Sequence, residues 1–269
     1  MEREYYSARS GKREPEKVDL PMLLRLFRSD YVRFRQGGYF DGHYVAGTFG
    51  DDIGAEMFRR LGKADLWPIE TRCKEYSEEV LFDVIEFLYD SAATDQVQVE
   101  IAGETVTMSG VNVAAGRADF SAAMNAILRD YRDGYELSDD GEILALGEEH
   151  MRPLLEQELP EYDPERVDSR VLAAVRKFRR HTPSVEDKRE AVRQLADVLE
   201  FLRPKLKDVL PNRDEGELFK IANGFGIRHH NPSQKTAYDG EIWLDWVFYC
   251  YLNTIHTAIN LLKRAEANP

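Results

Sequence analysis

Apolar side chains return at intervals of three and four along most of this chain and alternate with polar ones in two short places. Over residues 19–35, Leu23, Leu26, Phe27 and Tyr31 recur at helical spacing and Pro21 suits a first turn, which predicts a helix. A second helix is expected from about Gly54 to Gly62, before Trp67-Pro68-Ile69. Ser77 is placed to cap a third, with Val80, Leu81, Val84, Ile85 and Leu88 on one face. Val97-Gln98-Val99-Glu100-Ile101 alternates, breaks at Ala102-Gly103 and resumes over Glu104–Met108, which reads as a β-hairpin. A helix near Ala118–Arg132 and a second hairpin over Tyr135–Leu146, turning at Asp140-Gly141, complete an expected α+β domain over residues 1–150. The Gly-rich stretch from Gly37 through His43 to Gly54 is a loop without a phosphate-binding glycine motif, and His43 reads as an exposed loop residue.

From residue 151 onward every signal is helical. Val167, Val171, Ala174, Val175 and Phe178 form one stripe. Ser184-Val185-Glu186-Asp187 is a capping box, and it opens a long helix with Val192, Leu195, Leu199, Leu202, Leu206 and Val209 in a narrow seam. Such a seam suits antiparallel packing inside the domain or a partner helix, and Pro204 is expected to kink or split it. A short helix over Glu215–Asn223, a broken turn and an aromatic helix over Glu241–Ala265 follow. The economical reading of 151–269 is an all-α four-helix bundle, which makes the chain mainly α overall.

Composition narrows the setting. Among 269 residues, 43% are apolar and 32% charged, enough for packed cores and too apolar for general disorder. The net charge of −13 is carried by the first half: residues 1–150 hold 17 basic and 30 acidic side chains, residues 151–269 hold 19 of each. An acidic N-terminal half is a poor nonspecific nucleic-acid binder, so a winged-helix-like DNA contact by segment 118–146 is disfavoured. The neutral C-terminal half leaves room for a local basic site. Cys73 and Cys250 lie far apart without metal-ligand spacing, which argues against a disulfide framework and a zinc site. The start, Met1-Glu2-Arg3-Glu4-Tyr5-Tyr6, is polar where an export signal would be apolar. The longest apolar stretch, Ile242–Leu262, carries Asp245, Asn253, His256 and Asn260, so it is read as buried in protein and not in lipid. A cytoplasmic protein without membrane contact, metal or cofactor is the expectation.

Chemistry concentrates in Ile221–Pro232, where Arg228, His229, His230 and Asn231 occupy a Gly/Pro-broken turn before the aromatic helix. Arginine grips phosphate with a two-pronged fork and histidine moves protons near neutral pH, so these four are the catalytic candidates for a phosphodiester. The plain alternative is that Arg228 caps a helix C-terminus while the histidines satisfy loop carbonyls. The basic run Arg176-Lys177-Phe178-Arg179-Arg180-His181 is the second candidate, with Arg176, Arg180 and His181 as a substrate-binding set. It also closes a helix before Thr182-Pro183, where cations belong on dipole grounds alone. His256, with Asn253 and Asn260 at i−3 and i+4, marks a polar strip on the aromatic helix and reads as a buried, hydrogen-bonded histidine. Paired carboxylates, a Ser-His-Asp order and a nucleophilic cysteine are not evident.

The pieces Gly37-Gly38-Tyr39-Phe40, Leu66-Trp67-Pro68-Ile69, Tyr76–Phe82, Phe225–Asn231 and Trp243-Leu244-Asp245-Trp246 resemble abortive-infection proteins of the AbiJ type. Those join a variable N-terminal domain to a C-terminal domain of the HEPN superfamily (higher eukaryotes and prokaryotes nucleotide-binding). The resemblance implies an antiphage function and a metal-independent ribonuclease that works as a homodimer through its C-terminal bundle. The family motif is Arg, then a polar residue, then His four to six residues beyond the Arg. Arg228 and His229 match the first two places, whereas Ser233, Gln234 and Lys235 stand where the distal His belongs. Three readings stay open: His230 substitutes, Arg176/His181 is the working pair, or the domain binds a nucleotide, RNA or protein partner without cutting. Arg176/His181 has the spacing but carries Lys177 in the polar place.

Overall fold

The computed structural model describes residues 6, 10, 17–40, 52–101, 104–207 and 240–267, with backbone alone at 96–101, 104–109, 240 and 241. The protein is mainly helical, with two small antiparallel two-stranded sheets. It divides into two compact units, Met1–Leu144 and Ala145–Pro269.

In the first unit, α1 (Leu20–Gln36) begins where Asp19 accepts the Met22 N–H at 2.9 Å, and Pro21 sits in its first turn. Leu23, Leu24, Phe27, Tyr31 and Phe34 form its buried stripe. α2 (Ile53–Leu61) is capped by Asp52 and stopped by Gly62, whose φ of 67° is the left-handed conformation glycine adopts without strain. The short α3 (Ile69–Arg72) follows a cis Trp67-Pro68 bond and leads into a tight turn over Cys73–Glu75. α4 (Glu78–Ser91) starts at the Ser77 cap and buries Leu81, Phe82, Val84, Ile85, Phe87 and Leu88.

β1 (Thr94–Ile101) and β2 (Glu104–Asn112) pair antiparallel from Gln96↔Ser109 to Ile101↔Glu104, with an irregularity between Thr94 and Gln96. Both strands run longer than their alternating patterns suggested, and the expected turn at Ala102-Gly103 lies outside the described residues. The next helix, α5 (Val113–Leu128), starts five residues before the expected Ala118. Asn112 supplies the cap by accepting the Ala115 N–H at 3.0 Å. Gly116, a poor helix former, is required there because a Cβ would lie 2.3 Å from the Ala93 Cα. β3 (Tyr135–Leu137) and β4 (Ile143–Ala145) form the second hairpin. Asn125 fixes it to α5, accepting the Leu137 N–H at 2.6 Å and donating to the Leu137 carbonyl at 3.2 Å. Rings of Phe27, Tyr31, Phe34, Phe40 and Phe120 interlock at the centre of this unit's core.

The second unit holds the short α6 (Arg152–Glu156) and a wide turn over Pro164–Asp168 that the sequence reading did not anticipate. In that turn the Asp168 N–H reaches back five residues to the Asp163 carbonyl at 3.0 Å. Three long helices follow: α7 (Ser169–Phe178), α8 (Val185–Leu206) and α9 (Gly240–Ala267). α8 packs along both of the others, burying Val192, Leu195, Leu199, Leu202 and Leu206 against Leu244, Phe248, Leu252, Ile255 and Ile259 of α9. The α8 seam is therefore used inside the unit. Pro204 does not split α8; it falls in the last turn, where it removes one hydrogen bond to the preceding turn from a helix about to end. Val209 and the expected helix Glu215–Asn223, which would be the fourth of the bundle, lie outside the described residues. No described helix is long and apolar enough to cross a membrane.

Candidate functional site

Arg228, His229, His230 and Asn231, the catalytic candidates, lie outside the described residues, as does His43. The described residues carry the second candidate, the corner between α7 and α8.

That corner is built from the end of α7. Phe178 stacks flat on Phe248 of α9, with centroids 3.7 Å apart and planes 2° from parallel, and meets Tyr249 edge-on at 5.6 Å. Burial pushes the Tyr249 hydroxyl up to about 12. With Phe178 fixed, the basic run divides. Arg176 and Lys177 occupy the last turn of α7, where the helix dipole favours cations. Arg179, 9% exposed, faces inward: its Nε donates to the Ala145 carbonyl at 2.8 Å, and its own carbonyl accepts the Ala145 N–H at 2.7 Å. Arg180 is exposed and His181 half-buried, both beyond the helix end, and Thr182 follows with a φ of 49°. The Arg-x4-His spacing of Arg176 and His181 is thus not carried on one continuous helix.

An acidic group of α8 answers one of these cations, and a lysine of α8 is itself paired with α9. Lys177 pairs with Glu190 at 2.7 Å and Lys188 with Asp245 of α9 at 2.7 Å. The Ser184 hydroxyl and Asp187 close the expected capping box, with the Asp187 N–H donating to Ser184 Oγ at 3.1 Å. Hydrogen bonds from Ser184 hold the Asp187 carboxyl below the usual range, helped by the nearby charges of Arg180 and Lys177. Both readings of the run keep support: the cations close α7 and neutralise α8, and Arg180 still presents a guanidinium to solvent. Phosphate contact is the chemistry this corner can offer.

His256 is buried as expected, at 4% exposure. The polar strip, however, does not lie on one surface: Asn253 and Asn260 are exposed while His256 turns inward on the adjoining flank. Nor is the ring fully hydrogen-bonded, since its Nδ1 is buried with no partner among the described residues. Burial lowers its pKa, which favours a neutral imidazole.

Three clefts of the first unit drew no notice from the sequence. One, of about 540 Å³, lies between α1 and α5, where the Tyr39 hydroxyl donates to Asp119 at 2.8 Å and Arg33 pairs with Asp30 at 2.8 Å. A second, of about 280 Å³, gathers Asp83, Glu86, Asp90, Asp140 and Glu142 beside Arg60. Burial raises the Glu86 pKa there, against the pull of the Ile143 N–H that its Oε1 accepts at 2.7 Å. The third joins α1 to the Cys73–Tyr76 turn. Their residues come from elements far apart in the chain, and spacing along a sequence carries no signal for such convergence. Among the described residues no group of three or more His, Cys, Asp or Glu side chains is arranged to hold a metal ion. No protein family model, no curated protein and no solved structure matches this chain.

Proposed function

We propose that the second unit is a HEPN-like four-helix bundle and that the protein is an antiphage abortive-infection ribonuclease of the cytoplasm, cutting cellular or phage RNA without a metal ion. The observation that carries this reading is the sequence run Arg228-His229-His230-Asn231, which residues 232–239 separate from the aromatic helix α9. In this mechanism Arg228 holds the scissile phosphate and offsets the charge that builds on it. His230 or His229 takes the proton from the ribose 2′-hydroxyl, the 2′-oxygen bonds to phosphorus, and the bond to the 5′-oxygen breaks as that oxygen gains a proton. Asn231 orients the turn. The products are a 2′,3′-cyclic phosphate and a 5′-hydroxyl. Arg176, Arg180 and His181 form the cationic corner that contacts the RNA backbone.

The exposed side of α9 supports a homodimer through this unit. Trp243, Trp246, Asn253, Thr257, Asn260 and Arg264, with the half-buried Cys250 between, recur at spacings of three and four, on the side away from the buried seam Leu244, Phe248, Tyr251, Ile255, Ala258 and Leu262. Trp243 and Trp246 are 42% and 43% exposed, and they meet edge to face at 5.8 Å. A heptad seam with recurring asparagines sets the register of a like helix.

Expression of the wild-type chain tests the catalytic reading. It is expected to arrest cell growth and to leave cyclic-phosphate ends on cellular RNA, and Arg228→Ala is expected to relieve both. Harmless expression of folded wild type favours the second reading, a noncatalytic module that binds a nucleotide, RNA or protein partner. The observation behind that alternative is specific: Ser233, Gln234 and Lys235 occupy the places of the distal histidine.

A further inference from the structure

The third cleft of the first unit differs from its neighbours in the sign of its charge and in its floor. It measures about 420 Å³, within the usual span of small-molecule sites. Leu20 and Leu24 of α1 line it together with Cys73 and Tyr76, so its base is apolar. Around it stand Arg25, Arg28 and Lys74, with Glu75 the one acidic side chain of its lining. Three cations around one cleft run against the local composition, because residues 1–150 hold 30 acidic and 17 basic side chains.

Those cations are not consumed as the other clefts' charges are. In the α1–α5 cleft, Tyr39 and Asp119 satisfy each other, as do Arg33 and Asp30. In the acidic cleft, Arg60 reaches Asp90 at 3.6 Å and Lys63 reaches Asp83 at 2.8 Å. Here Arg25 has no hydrogen-bond or ion-pair partner among the described residues. Arg28 is held in place through Nε, which donates to the Glu70 carbonyl at 2.8 Å. Arg28 and Cys73 line the same cleft, and the arginine's charge opposes the upward push of burial on the Cys73 thiol. Lys74 has a loose contact with Glu75, 3.9 Å between charged atoms. The floor is tied into the core: the Tyr76 hydroxyl donates to the Leu66 carbonyl, and Leu24 and Cys73 belong to the unit's buried cluster.

An apolar base ringed by two arginines and a lysine selects a ligand that is apolar at one end and anionic at the other. We propose that this cleft binds a free medium-chain carboxylate, its hydrocarbon tail on Leu20, Leu24 and Tyr76 and its head between Arg25, Arg28 and Lys74. Confinement to one cleft of small-molecule size, in a half of the chain where acidic side chains outnumber basic ones, favours a single free molecule over an anionic bilayer. The site is independent of the RNA-cleavage reading and stands or falls separately from it.

Titration calorimetry of the full chain with octanoate tests it, alongside octan-1-ol and phosphatidylglycerol vesicles. Octanoate is expected to bind saturably, and octan-1-ol, which lacks the charge, about tenfold more weakly. Arg25→Glu/Lys74→Glu is expected to weaken octanoate by about tenfold or more, while Arg59→Glu/Arg129→Glu, with the same change in net charge elsewhere, shifts it less than about twofold. Arg25 and Lys74 are exposed, so their reversal leaves the core intact, and circular dichroism checks that it has. No octanoate binding by folded protein, equal binding of the alcohol, or an unchanged affinity in the cleft variant each overturns the proposal. Association with the vesicles in place of octanoate overturns it in favour of a membrane surface.

Discussion

Gly116 and His256 show how single side chains depart from their sequence averages. Gly116 sits inside α5, where alanine has the better helix propensity by about 1 kcal/mol. A Cβ there would nevertheless fall 2.3–2.6 Å from three backbone atoms of Ala93, and backbone does not yield as a flexible side chain does. Gly116→Ala is therefore expected to destabilise the first unit by about 1–3 kcal/mol in urea denaturation; a stabilised variant would show that Ala93 does not press on the helix. His256 predicts a pH dependence. Its folded pKa is below the ordinary value near 6.5, so the unfolded chain takes up the proton first as pH falls. The stability it allows is fully present above about pH 6.5 and declines as pH drops from there toward the folded pKa. Melting temperatures at pH 8 and pH 5.5 are expected to differ less in His256→Leu than in the wild type. An equal or larger drop in the variant would contradict the burial argument.

At the scale of elements, periodicity was a good guide wherever one face of a helix meets one core. The spacing of Leu23, Phe27 and Tyr31 located α1, and the capping box at Ser184 located the start of α8. It was a poor guide to ends set by other contacts. The start of α5 is fixed by the Asn112 cap and the close approach to Ala93, and both were hidden by a β-branched and a glycine residue in the first turn. The wide turn at Pro164–Asp168 has no periodic signature, being made by Asp163 and a backbone bond five residues long. The α7–α8 corner includes the Phe178–Phe248 stack, which holds the end of α7 against α9. Phe178→Ala is expected to cost the second unit about 3–5 kcal/mol, read by thermal or denaturant unfolding. A loss below about 1 kcal/mol would mean that the corner is held by its ion pairs instead.

For the molecule as a whole, charge and pattern suggested an acidic α+β part over 1–150 and a neutral helical part over 151–269; the structure has two compact units, Met1–Leu144 and Ala145–Pro269, with separate cores. Which α8 face met a partner could not be read, because an intramolecular seam and an intermolecular one have the same spacing. The core places Val192–Leu206 inside the unit, which leaves the exposed side of α9 as the proposed dimer surface. Trp246→Glu, at a position 43% exposed, is expected to convert a dimer to a monomer in sedimentation without loss of helicity. Wild type that sediments as a monomer would remove this part of the account. The candidate clefts of the first unit were invisible for a different reason: each is assembled by tertiary contact between segments whose local patterns say nothing of ligands.

The central claim concerns the run Arg228–Asn231, and cleavage of total RNA and tRNA in EDTA by purified protein tests it most directly. Wild type is expected to cut and to leave 2′,3′-cyclic phosphates, whereas Arg228→Ala/His230→Ala is expected to be inactive while remaining folded. Cutting that survives in the double variant would move the site to Arg176 and His181 or expose a contaminant. No cutting by folded wild type would contradict the catalytic reading and leave the binding module in its place.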